Sequence, residues 1–160
     1  DRKGNKGDLL LEIIIDNPIE LSDEAIKLYQ HAIKRELNDA DTNFMLGMSF
    51  NELGAYTEAL PYLMRAHELN EDDVEIGFQY GLTLCQLEMF DEAIVQLEKV
   101  LEKDSKHVDA LYNLGLAKYM KNENGEEALV YFRKAVHIQP DHLLSGHAIN
   151  MFEQLLEEED

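Results

Sequence analysis

Three histidines near the end of the chain, His137, His142 and His147, are the first candidates for metal chemistry. Their spacing of five residues does not stack side chains on one helix face, and Pro140 interrupts it. Metal sites draw ligands from compact, convergent spacings, so no metal is expected here. Cys85 is the lone thiol, set beside Leu84 and Leu87 with no histidine near it in sequence. A nucleophilic cysteine needs a neighbouring base or positive charge to become a thiolate. Cys85 therefore reads as a packed or partly exposed structural thiol. No nucleophile elbow, phosphate loop or dinucleotide glycine motif occurs. With 33 acidic residues in the chain, paired carboxylates carry little information. Neither catalysis nor a cofactor is expected.

The pattern that does recur is apolar and acidic. Phe44, Phe78 and Tyr112 occupy one recurring position, and Met48, Leu82 and Leu116 follow four residues on, one helical turn away. Asp41, Glu75 and Asp109 precede each aromatic by three residues. Such side chains could form an exposed apolar strip edged with acids, or they could be core.

Those residues must be placed by helices. Apolar residues in 108–121 (Val108, Leu111, Leu114, Leu116, Ala117, Met120) recur at intervals of three and four, and 91–103 behaves alike. The periodicity predicts helices at roughly 8–16, 23–36, 40–53, 57–69, 74–87, 91–103, 108–121, 126–138 and 142–157. Gly54, Asn122-Glu123-Asn124-Gly125 and Asn17-Pro18 mark turns, and Pro140 stops the helix ending near Ile138. Asp23, Thr57 and Asp91 are expected to cap the helices they precede, with Tyr56 and Phe90 stapling the turns.

The helices form a repeat. Leu46-Gly47, Tyr80-Gly81 and Leu114-Gly115 lie about 34 residues apart, each followed 12 or 13 residues later by Ala59, Ala93 or Ala128. Ala66, Val100 and Ala135 come seven residues further on. A fixed period of this size marks an array of helix pairs, each too small to bury its apolar stripe alone. Glycine inside a helix costs about 1 kcal/mol relative to alanine. Three glycines at one repeat position therefore imply that the partner helix comes too close for a β-carbon, with Ala59, Ala93 and Ala128 as the matching shallow points.

These residues resemble the tetratricopeptide repeat (TPR) family. The match is Leu46, Gly47, Phe50, Ala59, Leu63 and Ala66 in 40–73, then Tyr80, Gly81, Leu84, Ala93, Leu97 and Val100 in 74–107. In 108–142 it is Leu111, Leu114, Gly115, Ala128, Phe132, Ala135 and Pro140. A leading unit over 8–39 is degenerate, its second helix visible as Ala25, Tyr29 and Ala32. Segment 143–157 (Leu143, Leu144, Ile149, Phe152, Leu155, Leu156) is expected to be a helix covering the last repeat. Asn43 and Gly77 replace the large opening residue of two units, and Glu71 and Ser105 replace the closing proline.

The resemblance implies an all-α fold, a right-handed solenoid of antiparallel helix pairs spanning 1–160 as a single array. It implies a protein–protein interaction module whose first helix in each unit lines a concave groove. The family's groove positions fall on Asp41, Phe44, Met48 and Asn51, on Glu75, Phe78, Leu82 and Cys85, and on Asp109, Tyr112, Leu116 and Tyr119. One TPR subtype clamps the terminal carboxylate of a chaperone with Lys, Asn and Arg at those positions, and the acids here argue against it. The expected partner is another protein or a peptide with basic and apolar residues. Alternatives are a structural or self-associating module, with the groove filled by a second copy or by the chain's own residues 9–15, and the scaffold part of a larger protein.

Composition bounds the rest. With 45% hydrophobic residues, 160 residues suffice for a core without metal or disulfide staples. A formal charge of −19 repels a phosphate backbone, so nucleic acid is not an expected partner. No apolar run reaches the roughly 18 residues of a membrane span. A single cysteine favours a reducing, cytoplasmic setting. Asp1 in place of Met is expected of a fragment or processed chain, which leaves a removed leader open.

Overall fold

The computed structural model describes residues 23–34 and 38–159. Among the described residues there are eight helices and no strand: α1 (Asp23–Lys34), α2 (Ala40–Glu52), α3 (Tyr56–Leu69), α4 (Val74–Gln86), α5 (Phe90–Lys103), α6 (Val108–Asn122), α7 (Gly125–Ile138) and α8 (Leu143–Glu159). The helix expected over 8–16 and the side chain of Ala25 lie outside the described residues. The chain divides into two compact units, one ending at Leu69 and the other beginning at Asn70.

In the first unit α2 packs against both α1 and α3. Ile26, Tyr29 and Leu46 form its core, with Ile33, Met45, Phe50 and Tyr62 packed around them. Phe50 and Tyr62 stack at 5.7 Å between α2 and α3. In the second unit each helix packs on the next, and α4 also touches α6. One cluster joins Phe78, Ile94, Leu97, Val100, Ala110, Leu114 and Ala117. A second joins Ala128, Leu129, Phe132, Ala148 and Phe152, so α8 does cover α7. Of the six apolar residues expected to cover it, Ile149, Phe152 and Leu156 pack there and the other three do not. Ser145, Ala148 and Phe152 are buried, whereas Leu143, Leu144 and Leu155 are exposed.

The mid-helix glycines are contact points. A β-carbon on Gly47 would meet Leu63 Cγ at 2.6 Å, on Gly81 Leu97 Cδ2 at 3.1 Å, and on Gly115 Phe132 Cε1 at 2.8 Å. The intruding groups are thus the large side chains one turn beyond the alanines. Ala59, Ala93 and Ala128 are fully buried beside them.

Helix starts differ from expectation. Thr57 and Asp91 lie inside α3 and α5 rather than ahead of them, and α5 begins without a side-chain cap. Asp91 instead pairs with Lys121 on α6. Side-chain caps begin the first helix of each full pair, and one second helix, α7, is capped as well. Asp39 Oδ1 accepts from Thr42 N at 2.7 Å, Asp73 Oδ1 from Ile76 N at 3.0 Å, and His107 Nδ1 from Ala110 N at 3.2 Å. In α7, Asn124 Oδ1 accepts from Glu127 N at 3.0 Å. Each satisfies an N–H that the first helical turn leaves without a partner.

Two departures from the family pattern have polar explanations. Asn43 is buried, and its Nδ2 donates to Asn38 Oδ1 and to the Asp39 carbonyl, at 2.7 and 2.8 Å. Gly77 leaves its carbonyl open to Gln96 Nε2 of α5, at 3.2 Å. An amide thus holds each helix start where a large apolar residue was expected. Lys118 of α6 ties three helices together, 3.3 Å from both Glu98 of α5 and Glu127 of α7. Burial disfavours its charge, but the two carboxylates outweigh that and hold its pKa above the ordinary value.

Candidate functional site

The first helix of each pair carries the recurring positions: α2 in the first unit, α4 and α6 in the second. Helical period places Asp41, Phe44, Met48 and Asn51 along one stripe of α2, and the equivalent sets along α4 and α6.

Burial separates the twelve residues. Asp41, Glu75 and Asp109 are exposed. Phe44, Met48, Asn51, Leu82, Cys85, Tyr112, Leu116 and Tyr119 are half-buried. Phe78 is the exception, at 7% exposure within the core cluster of α4, α5 and α6. Its ring lies 4.6 Å from that of His107. Of the two readings of this position, exposed strip or core, Phe78 takes the core one. His107 and Ala110 from the start of α6 close over the ring where a strip would need it bare.

The half-buried members have their own packing. Leu82 and Cys85 pack on the core cluster containing Phe78, while Tyr112, Leu116 and Tyr119 pack on the cluster containing Phe132. Tyr119 meets the Phe152 ring edge-on at 4.6 Å, and Tyr112 lies 5.7 Å from Phe132. Each therefore anchors one edge in the core and leaves another to solvent. Burial raises the Tyr112 hydroxyl above its ordinary value and pushes the Cys85 thiol up to about 11. At neutral pH Cys85 is a protonated, apolar group, suited to contact and unsuited to nucleophilic chemistry.

The acids are partly engaged. Glu75 Oε1 accepts from Gln79 Nε2 at 2.8 Å. Asp109 Oδ1 accepts from His142 Nε2 at 3.1 Å. His142 Nδ1 faces Ser145 Oγ at 2.7 Å and accepts from Ser145 N at 3.3 Å. The backbone bond makes His142 the cap of α8 and leaves the ring proton on Nε2, pointing at Asp109. That explains His142 without a metal. His137 and His147 are exposed, and among the described residues no group of His, Cys, Asp and Glu is arranged to hold an ion. His67 is half-buried.

The capping position was legible and was missed. Asp39, Asp73, His107 and His142 follow one another at intervals of 34, 34 and 35 residues. The same register that located the glycines would have found them. Their chemistry varies, and only the oxygen or nitrogen lone pair is shared.

Comparison with known proteins follows the same register. Tetratricopeptide repeat models match residues 20–73 and 108–142, and a TPR repeat model matches 81–122. Among solved structures, YrrB, described as a TPR protein with an unusual peptide-binding site, is 44% identical with a TM-score of 0.75. That match covers 78% of this chain, which spans 64% of the length of YrrB. MamA from Desulfovibrio magneticus RS-1 has a TM-score of 0.76 at 20% identity, covering 98% of both chains. The first TPR of Spaghetti, bound to an HSP90 peptide, has a TM-score of 0.69 at 15% identity, covering 74% of this chain and 93% of that one. The last two show likeness of fold alone. No curated protein matches the sequence. Among the described residues, no helix is long and apolar enough to cross a membrane.

Proposed function

The chain belongs to the tetratricopeptide-repeat family, and on that premise we propose that it is a protein–protein interaction module without catalysis of its own. Its ligand is a peptide or partner segment with basic and apolar side chains. In the second unit this segment docks along α4 and α6, on Glu75, Leu82 and Cys85 and on Asp109, Tyr112, Leu116 and Tyr119. In the first unit α2 offers the same chemistry through Asp41, Phe44, Met48 and Asn51. Phe78 shapes the floor from within the core and contributes little surface of its own.

One observation supports this reading most. The exposed acids and the half-buried aliphatics recur together at fixed repeat positions on the first helix of each pair. Partly open apolar groups provide desolvation on binding, and a rim of one charge selects its opposite. Peptide binding is also what the description of YrrB, at 44% identity, records for that protein. An all-acid rim lacks the cations that grip a terminal carboxylate, so an internal basic segment is the better ligand.

The test is a capture experiment with two baits from the same chain. The intact protein should retain a partner that the variant Glu75→Lys with Leu82→Glu loses, while both baits keep the same helical content. Equal capture by the two baits sinks the assignment of the site.

A further inference from the structure

The second unit holds a cleft that uses none of those inner residues. It lies between the C-terminal halves of α5 and α7 and the start of α6, with a volume of about 740 Å³. Ligand clefts run from roughly 300 to 1,000 Å³. Leu101, Leu111, Val130 and Ile138 form its apolar lining. Arg133, Lys134 and His137 provide its charge-bearing side. No acid lines it, in a chain where acidic residues outnumber lysine and arginine 33 to 14. Lys134 lies over the Tyr131 ring at 5.3 Å, which holds the ammonium at the cleft. Arg133 is paired with Glu153 of α8 at 2.8 Å.

A surface of matching chemistry sits on the last helix of the same unit. Leu144, Met151 and Leu155 are all exposed, and their spacing of seven and four places them on one face of α8. Glu158, also exposed, extends that face three residues further. The neighbouring face is the one already used, with Ile149, Phe152 and Leu156 packed into the core. The stripe is therefore left without a partner among the described residues, with three large apolar side chains, exposed His147 between the first two, and an acid at its end.

We propose that the Leu144, Met151 and Leu155 stripe of one copy docks in the α5–α7 cleft of a second copy. The aliphatic side chains enter the lining of Leu101, Leu111, Val130 and Ile138, and Glu158 meets Lys134. Charge complementarity selects this occupant, because the cleft is acid-free and the stripe ends in acids. Two chains of −19 repel at long range, and salt screens that repulsion over about 10 Å at 0.1 M. The contact therefore forms best at moderate ionic strength. It stands or falls apart from the peptide-binding reading, since no residue is shared.

The experiment is light scattering and sedimentation of the 160-residue chain over a concentration series at moderate salt. The chain should self-associate. A cleft variant, Val130→Glu with Lys134→Glu, and a stripe variant, Met151→Glu with Leu155→Glu, should each weaken association by about tenfold or more, as loss of a central anchor does. All four positions are exposed, so circular dichroism melts should match the parent chain. Mixing the variants tests the geometry directly. The cleft variant keeps an intact stripe and the stripe variant an intact cleft, so together they should pair more strongly than either does alone. A parent chain that stays monomeric throughout, variants that associate like the parent, or a mixture that fails to pair overturns the proposal.

Discussion

A β-carbon on Gly47 would stand 2.6 Å from Cγ of Leu63, inside any distance that two carbons tolerate without movement. Backbone is close as well, with Leu63 N at 3.2 Å. At Gly115 the obstacles are Phe132 Cε1 at 2.8 Å and the Ala128 carbonyl oxygen at 3.2 Å. Gly81 has more room, its nearest atom at 3.1 Å being the end of a leucine side chain. Gly146 in α8 has nothing within 4 Å.

Alanine at these four sites should therefore give a graded series. Replacing glycine in a helix stabilises by about 1 kcal/mol where nothing interferes. Overpacking costs about 1–3 kcal/mol. Gly47→Ala and Gly115→Ala should lower stability, Gly81→Ala should change it little, and Gly146→Ala should raise it. Chemical denaturation of the four variants checks the order. A Gly47→Ala chain as stable as Gly146→Ala would remove the close-contact account of the repeat.

A second prediction comes from the turns between paired helices. Gly54 has φ of 71°, and the same left-handed conformation is taken by Glu88 at 58° and Glu123 at 55°. The turns around Gly54 and Glu88 share their hydrogen bonds, Ala55 N to Phe50 O and Met89 N to Leu84 O, at 2.9 and 3.0 Å. An L-residue pays about 1 kcal/mol for that conformation. Glu88→Gly and Glu123→Gly should each stabilise the chain by several tenths of a kcal/mol to about 1, after the loss of backbone entropy. Thermal melts should rise by a few degrees, and unchanged melts would place the strain elsewhere.

Burial separates the candidate binding residues by experiment. Phe78→Ala removes a ring from a closed cluster and should cost about 3–5 kcal/mol. Glu75→Lys changes an exposed side chain and should stay within about 0.5 kcal/mol, while weakening a basic ligand. Binding of that ligand should also fall with salt, because exposed pairs are screened beyond about 10 Å at 0.1 M. Melting curves beside a salt titration read both effects. Affinity indifferent to salt would leave the −19 charge as a solubility property.

The thiol of Cys85 gives a pH test. Burial pushes its pKa from 9.0 up to about 11, so folding favours the protonated form. The associated stability is complete below 9.0 and is lost as pH rises towards about 11. The parent chain should therefore lose more stability than Cys85→Ala over that alkaline interval. At neutral pH the folded thiol should label slowly with a thiol reagent and rapidly once denatured. Fast labelling of the folded chain would show an open, ionisable sulfur.

Periodicity alone carried the architecture, because a helix pair that cannot bury its stripe must repeat it. Gly47, Gly81 and Gly115, the buried Ala59, Ala93 and Ala128, and the helix ends to within a residue or two were all legible from the spacing of 34. Which side of a stripe faces solvent was decided by tertiary packing. Phe44, Phe78 and Tyr112 share a repeat position, yet His107 and Ala110 close over Phe78 while the other two stay partly open. Asp91 reads as a cap by type and became an ion-pair partner, because its helix begins one residue earlier and Lys121 of α6 lies within reach. His142 reads as one of three histidines without a shared face, and only the approach of the start of α8 to α6 brings its Nε2 to Asp109. A sequence states what each helix can bury, but exposure belongs to the neighbours, whose side chains arrive from residues about 20 to 35 positions away.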